Sequence, residues 1–162
     1  MFNYHDSTIR QERLARGTDH CGSEGKVYAL ADLVKGGKVM DPRARSRPLT
    51  TDGTAGLPSD VLIYAVDADF NIHVGFDGVR GTPNAVKHET LFHNAEVRAA
   101  GELSLLDGII VAVNDQSGSY RTFGRLSTDR RFTEAILMAL NRSAAPVSEE
   151  TRAWLREKAG RK

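Results

Sequence analysis

The feature that most constrains the fold is an alternating run that turns back on itself at Asp107-Gly108. On one side of this run every second residue is apolar or glycine: Val97, Ala99, Gly101, Leu103 and Leu105. The intervening positions hold Glu96, Arg98, Ala100, Glu102 and Ser104. Asp-Gly is a strong signal for a two-residue hairpin turn, and Ile109, Val111 and Val113 follow it. The pattern therefore predicts two paired antiparallel strands with one apolar face.

The first of these strands contains three small residues in a row, Ala99, Ala100 and Gly101. Small side chains inside a strand allow a close approach by another group. We expect a helix or a ligand to pack closely against this strand.

Two further strands are predicted upstream. Residues 61–66 form an apolar run, residues 72–76 alternate, and the polar residues 67–71 between them predict a turn. Nearer the start, Ser23 is a candidate cap for a short helix that ends at Gly36-Gly37. Its predicted apolar face comprises Val27, Leu30, Ala31 and Val34.

Residues 41–60 show no periodicity, and three prolines and two glycines predict a long loop there. The loop carries Arg43, Arg45 and Arg47, which suggest phosphate binding. Solvated surface charges account for the three arginines equally well.

Helices are predicted at the C-terminus. Ser127 or Thr128 is expected to cap the first, whose buried stripe is Phe132, Ala135, Ile136, Ala139 and Leu140. Ser148 is expected to cap the second, which Trp154 and Leu155 anchor.

These elements predict an α+β fold, with one antiparallel sheet of four to six strands and N-terminal and C-terminal helices packed on it. The 162 residues are expected to form a single domain. Its predicted parts are a partly irregular start (1–25), the long loop (41–60), a β core (61–123) and a helical end (128–160).

Composition excludes several classes of function. The net charge of +1 gives no overall attraction to nucleic acid, and the arginines lack interleaved aromatic residues. A single cysteine, Cys21, excludes an internal disulfide. No apolar run approaches the ~18 residues needed to span a bilayer, and the first residues are too polar for a signal peptide. We expect a soluble, cytoplasmic protein with no nucleic-acid or membrane partner.

Two histidines lie five residues apart, at His88 and His93. This spacing fits neither a zinc-binding helix nor one face of a strand, so no metal site is expected. A histidine that contacts a ligand or transfers protons is one interpretation, and a hydrogen-bonded structural histidine is the other. His88 is preferred, because Thr90 follows it at strand spacing.

Glu102 and Arg98 are predicted to share one strand face. An ion pair between them is one interpretation. In the other, Glu102 is a base or a ribose ligand held on a stiff strand, with Arg98 as a ligand-binding residue.

The run Ser117-Gly118-Ser119-Tyr120 offers hydroxyl groups at a strand end. The main-chain N–H groups of such a corner can bind an anion. A plain turn with a packed tyrosine is the alternative. A serine nucleophile is not favoured, because the Gly-x-Ser-x-Gly signature is absent.

Residues 87–120 resemble a motif of the plant calmodulin-binding IQ-motif proteins and of bacterial toxin or effector C-terminal domains. Its parts are His-Ser-Ser-Phe, Ala-Ala-Gly-Glu, an Asp-Gly or Asn-Gly hairpin, and Ser-Gly-His-Tyr. The corresponding residues are 88–91, 99–102, 107–108 and 117–120. Ser119 stands where the motif has histidine. The chain has no IQ-type helix, so the resemblance does not imply calmodulin binding.

A second resemblance is to the His–Tyr–Glu arrangement of ADP-ribosyltransferase-like folds, in which the histidine and tyrosine hold the nicotinamide ribose and ring of NAD. It implies that His88, with Thr90, and Tyr120 hold the NAD. Glu134 or Glu102 would then orient the nucleophile. Glu102 precedes the tyrosine in the chain, unlike the acid of those folds.

Together these observations lead to the hypothesis of a toxin- or effector-type enzyme that acts on a nucleotide-like ligand such as NAD. The predicted catalytic residues are His88, Glu102 and Tyr120, and the predicted ligand-binding residues are Thr90, Arg98, Ser117, Ser119 and Arg45. No cofactor beyond NAD or a related nucleotide, as substrate, is expected. The alternatives are a non-catalytic protein that sequesters a nucleotide or inhibits a partner protein, and a structural accessory protein.

Overall fold

The computed structural model describes residues 27–51, 61–76, 96–116 and 122–160. The strands are β1 (Tyr28–Ala29), β2 (Val34–Lys35), β3 (Lys38–Asp41), β4 (Ala44–Pro48), β5 (Leu62–Val66), β6 (Ile72–Phe76), β7 (Ala99–Leu106) and β8 (Ile109–Val113). The helices are α1 (Leu30–Leu33), α2 (Arg125–Thr128), α3 (Arg130–Ser143) and α4 (Glu149–Gly160).

The α+β class is confirmed. Five strands form an antiparallel sheet in the order β1-β6-β5-β7-β8, within the predicted range of four to six. All five residues of the central strand β5 are buried, as expected for a strand covered on both faces. A second sheet of three strands, β2-β3-β4, was not predicted from the sequence.

Both predicted hairpins form. Asp107 and Gly108 join β7 to β8 with φ angles of 51° and 79°, the left-handed conformation that a type I′ turn requires. Asp67 stabilises the turn between β5 and β6, because its Oδ1 accepts hydrogen bonds from the main-chain N–H groups of Asp69 and Asn71.

The register of the β7–β8 hairpin differs from simple alternation. Ser104 pairs with Ala112 and Leu105 with Ile110, so Val111 is an extra residue in a β-bulge. The bulge reverses the faces of the residues beyond it. As a result Ile110 and Val113 are buried, whereas Val111 is 40% exposed.

The prediction of a loop over residues 41–60 is wrong at its start, because β3 and β4 pair as a hairpin there. Asp41 is buried at this hairpin, and its carboxylate binds Arg43 and Arg47. These charged contacts between side chains stabilise the hairpin without any apolar periodicity in the sequence.

The predicted N-terminal helix is shorter than expected. From residue 27 onward, where the structure describes this segment, only Leu30–Leu33 is helical, flanked by β1 and β2. Gly36-Gly37 forms the turn between β2 and β3 instead of ending a helix. The predicted cap, Ser23, lies outside the described residues.

The C-terminal helices are present, and the predicted stripe of α3 is buried as expected. Its N-cap is Asp129 and not Ser127 or Thr128, because those two residues belong to α2. Ser148 does cap α4, since its hydroxyl accepts from the Thr151 main-chain N–H. Leu155 is fully buried, but Trp154 is 40% exposed and does not anchor the helix in the core.

The core lies between the five-stranded sheet and the helices. Helix α3 contacts β5, β6 and β7, while α4 packs on α3 and β8. In the described parts of the chain, no helix combines the length and apolar character needed to cross a membrane.

Candidate functional site

Asn114, which directly follows β8, binds Glu102 within β7 through its side chain. Its Oδ1 accepts from the Glu102 main-chain N–H at 2.8 Å, and its Nδ2 donates to Glu102 Oε1 at 2.9 Å. The Asn114 main-chain N–H donates to the Glu102 carbonyl at 3.0 Å. Two of these bonds fix the main chain of Glu102, and the third holds its half-buried carboxylate on a paired strand.

Gly101 allows this arrangement by leaving room for Asn114. A Cβ at Gly101 would lie 2.0 Å from the Asn114 carbonyl oxygen and 2.9 Å from the Tyr64 ring. The expectation that a group packs closely here is confirmed at Gly101. At this residue the group is the main chain of Asn114 together with Tyr64, and helix α3 also packs against β7 as expected.

Gly101, Glu102 and Asn114 together form what we call the corner, and Tyr64 supports it from the central strand. Its hydroxyl donates to the Asn114 carbonyl at 2.8 Å. Burial raises the pKa of Tyr64 well above its ordinary value of 10.0, and the Asp115 carboxylate raises it further. The hydroxyl therefore stays protonated and remains a donor.

Asp115 and Thr122, which lie on either side of segment 117–121, are hydrogen-bonded to each other next to the corner. Thr122 donates its hydroxyl to the Asp115 carbonyl at 2.7 Å, and the same hydroxyl lies 3.1 Å from the Ala100 carbonyl. Asp115 Oδ2 accepts from the Leu126 main-chain N–H. The predicted site residues Ser117, Ser119 and Tyr120 lie in that segment, outside the described residues. His88 and Thr90 also lie outside the described residues.

Glu102 lies on a defined side of the five-stranded sheet, which we call the Glu102 face. Residues paired across antiparallel strands point to the same side, so the ladder determines its members. They are Ala29, Ile63, Ala65, His73, Gly75, Ala100, Glu102, Ser104 and Ala112.

A second oriented polar side chain, His73, lies on this face. Its Nε2 is 3.1 Å from Asp67 Oδ2, and the ring is 26% exposed. A carboxylate in this position orients the imidazole ring. Sequence analysis missed this pair, which brings Asp67 and His73 together from opposite sides of a predicted hairpin turn.

His73 and Glu102 are separated by β5. Strand spacing of ~4.8 Å and a rise of ~3.4 Å per residue place their Cα atoms roughly 12 Å apart. The fully buried Ala65 and Ala100 lie between them.

Arg98 has contacts within the protein. It is 3% exposed, its Nε donates to the Ala68 carbonyl at 2.8 Å, and its guanidinium lies 4.3 Å from the centre of the Phe70 ring. These contacts account for its position without a ligand. Its assignment as a ligand-binding residue stays a prediction.

The other acid suggested by the ADP-ribosyltransferase resemblance, Glu134, lies on α3. Its Oε1 is buried without a hydrogen-bond partner and is 3.7 Å from Arg130 Nε. Arg45 belongs to β4, but its side chain lies outside what the structure describes.

A groove of about 390 Å³ lies between β8 and α4. It is lined by Val111, Ala112, Val113, Glu150, Thr151 and Trp154. Within the described ranges, no group of three or more His, Cys, Asp or Glu side chains is arranged to hold a metal ion.

No family model, curated protein or solved structure matches this chain.

Proposed function

We propose that this protein is a toxin- or effector-type enzyme that acts on a nucleotide-like ligand such as NAD, as a transferase or a glycohydrolase. The observation that carries the proposal is the Glu102 carboxylate, held by Asn114 on the same sheet face as the Asp67–His73 pair. A fixed carboxylate and an oriented imidazole are the groups that proton transfer and sugar binding require.

In the proposed reaction, water or an acceptor hydroxyl attacks C1′ of the nicotinamide ribose. The bond from C1′ to the nicotinamide nitrogen breaks, and nicotinamide leaves with the bonding electrons. Glu102 orients the nucleophile and takes its proton. His73 binds a ribose hydroxyl, and the predicted partners His88 and Tyr120 hold the ribose and the ring.

The test is to measure the release of nicotinamide from NAD by chromatography. Glu102→Gln keeps the size of the side chain and an acceptor for Asn114 but removes the charge. We expect it to lower the rate at least ~100-fold. Glu149→Gln, on the exposed first turn of α4, is the matched control and should retain full rate. Turnover that is equal in wild type and Glu102→Gln would refute the assignment of Glu102.

The alternative is a non-catalytic protein that sequesters a nucleotide. The observation that favours it is that Asn114 uses both ends of its amide on Glu102, which makes the corner a rigid binding frame. Calorimetry with NAD separates the two functions. Saturable binding without nicotinamide release supports the binding protein. If NAD neither binds nor releases nicotinamide, it is the ligand in neither function.

A further inference from the structure

In the described part of the chain, β8 is the last strand at one side of the five-stranded sheet. An extended segment already lies along the outer edge of β8 at Ile110. The Ile110 N–H donates to the Pro146 carbonyl, and the Ile110 carbonyl accepts from the Ser148 N–H, both at 2.9 Å. Helix α4 begins directly after this segment and cannot continue the pairing, whereas β8 extends further, to Val113.

The main chain of Val113 points toward the same outer edge. Glu102 and Asn114 form a hydrogen-bonded pair across the hairpin, because the Asn114 N–H donates to the Glu102 carbonyl. Hydrogen-bonded and non-hydrogen-bonded pairs alternate along an antiparallel ladder, so the next pair, Leu103 and Val113, is of the second kind. The N–H and C=O of Val113 are therefore directed away from β7. A strand edge with an outward donor and acceptor can pair with another extended chain.

The groove between β8 and α4 lies at this edge, since Val111, Ala112 and Val113 line it from the strand side. Thr151 joins the helix to the strand there, because its hydroxyl donates to the Val111 carbonyl at 2.7 Å. Val111 and Trp154 contribute apolar surface, and each is 40% exposed. Outward main-chain groups next to apolar side chains are the features that bind an extended peptide by strand addition.

Glu150 is the one ionisable residue among those that line the groove. It lies four positions before Trp154, so the two side chains share one face of α4. Lys158 already lies over the Trp154 ring, with 5.5 Å from Nζ to the ring centre, so the ring serves as an apolar surface. Lys158 is eight positions from Glu150, roughly 12 Å along the helix axis. The Glu150 carboxylate thus favours a basic partner side chain and repels an acidic one.

We propose that the groove between β8 and α4 binds an extended segment of a partner protein that carries a basic side chain. The segment adds to the sheet at Val113 and exchanges main-chain hydrogen bonds with it. Its basic side chain binds Glu150, and its apolar side chains pack on Val111 and Trp154. The proposal goes beyond the function proposed for Glu102 and does not depend on it.

The test is a titration of the whole chain with capped pentapeptides. The amide signals of residues 111–113 and the indole signal of Trp154 are followed in ¹H–¹⁵N spectra. The probes are Ala-Val-Lys-Val-Ala, Ala-Val-Glu-Val-Ala, and the lysine peptide with every amide N-methylated. We expect saturable shifts with the lysine peptide and about fivefold weaker binding of the glutamate peptide, whose charge is repelled at an exposed site. The N-methylated peptide should not bind, because it cannot donate to the Val113 carbonyl.

Glu150→Lys reverses the charge of the groove. It should weaken binding of the lysine peptide about fivefold and strengthen binding of the glutamate peptide. Glu149→Lys is the matched control, because Glu149 belongs to the same turn of α4 but does not line the groove. Both residues are exposed, so neither substitution disturbs the core.

Four results would each overturn the proposal. They are the absence of a saturable shift with the lysine peptide, equal affinity for the two charged peptides, unchanged affinity for the N-methylated peptide, and equal weakening in Glu149→Lys and Glu150→Lys.

Discussion

The side-chain amide of Asn114 binds Glu102 at both ends, through its oxygen to the Glu102 main chain and through its nitrogen to the Glu102 carboxylate. Only an amide supplies an acceptor and a donor in this geometry. Aspartate has the same shape but would place a second negative charge against Glu102.

Asn114→Asp is therefore expected to lower the free energy of unfolding by about 2 kcal/mol at neutral pH. Urea denaturation measures the change. Asn141→Asp is the matched control, because Asn141 Oδ1 accepts from Arg152 Nη1 and a carboxylate there would gain attraction. Equal losses in the two variants would contradict the charge argument.

Gly101→Ala is expected to destabilise the protein by about 3 kcal/mol or more. The added Cβ would collide with the carbonyl of Asn114, a main-chain atom that cannot move without breaking the corner. Gly160→Ala is the control, since a Cβ there meets no atom within 4 Å. Thermal unfolding should distinguish the two, with Gly160→Ala close to wild type.

Asp41 should make stability depend on pH. Burial alone would raise the pKa of Asp41, but its hydrogen bonds from Arg43 and Arg47 outweigh burial and hold the pKa below its ordinary value of 3.8. The folded state therefore prefers the charged form. The resulting stability is fully present above pH 3.8 and is lost as the pH falls through the folded pKa.

Asp41→Asn should cost about 2 kcal/mol at pH 7, and the difference from wild type should shrink in acid. Denaturation at several pH values measures this dependence. Asp107→Asn removes the exposed ion pair with Lys38 and should cost under about 0.5 kcal/mol. A difference between wild type and Asp41→Asn that is constant down to pH 2 would show that the charge of Asp41 is not responsible.

The N-cap of helix α3 can be located by substitution. Asp129→Ala should cost about 1 kcal/mol, because the Asp129 carboxylate accepts from the main-chain N–H groups of Arg131 and Phe132. Ser127→Ala should have almost no effect on the free energy of unfolding, since this residue is exposed within α2. A larger loss of unfolding free energy in Ser127→Ala than in Asp129→Ala would show that Ser127 is the cap, as predicted from the sequence.

Periodicity predicted the elements whose side chains alternate or repeat over many residues. The β7–β8 hairpin and the stripe of α3 have such patterns, and both form. The bulge at Val111 could not be predicted, because it depends on how two strands pair and leaves no signature within either one.

The candidate site was predicted in part. Glu102 was identified from its place on a strand, but its partner Asn114 was not, because their contact joins residues twelve positions apart across the hairpin. The same reason applies to the Asp67–His73 pair and to the hairpin stabilised by Asp41. Side-chain pairing between strands depends on register, and register is known only once the strands are paired.

The hydrogen bond from Tyr64 to Asn114 has a consequence for how the molecule opens. Tyr64 lies in the central strand, so the corner cannot separate from β7 without exposing a buried core residue. Local opening of the corner should then cost nearly as much as global unfolding, and the amide hydrogens of Glu102 and Asn114 should be among the slowest to exchange with solvent. The Glu102 carboxylate would keep its position for as long as the protein stays folded.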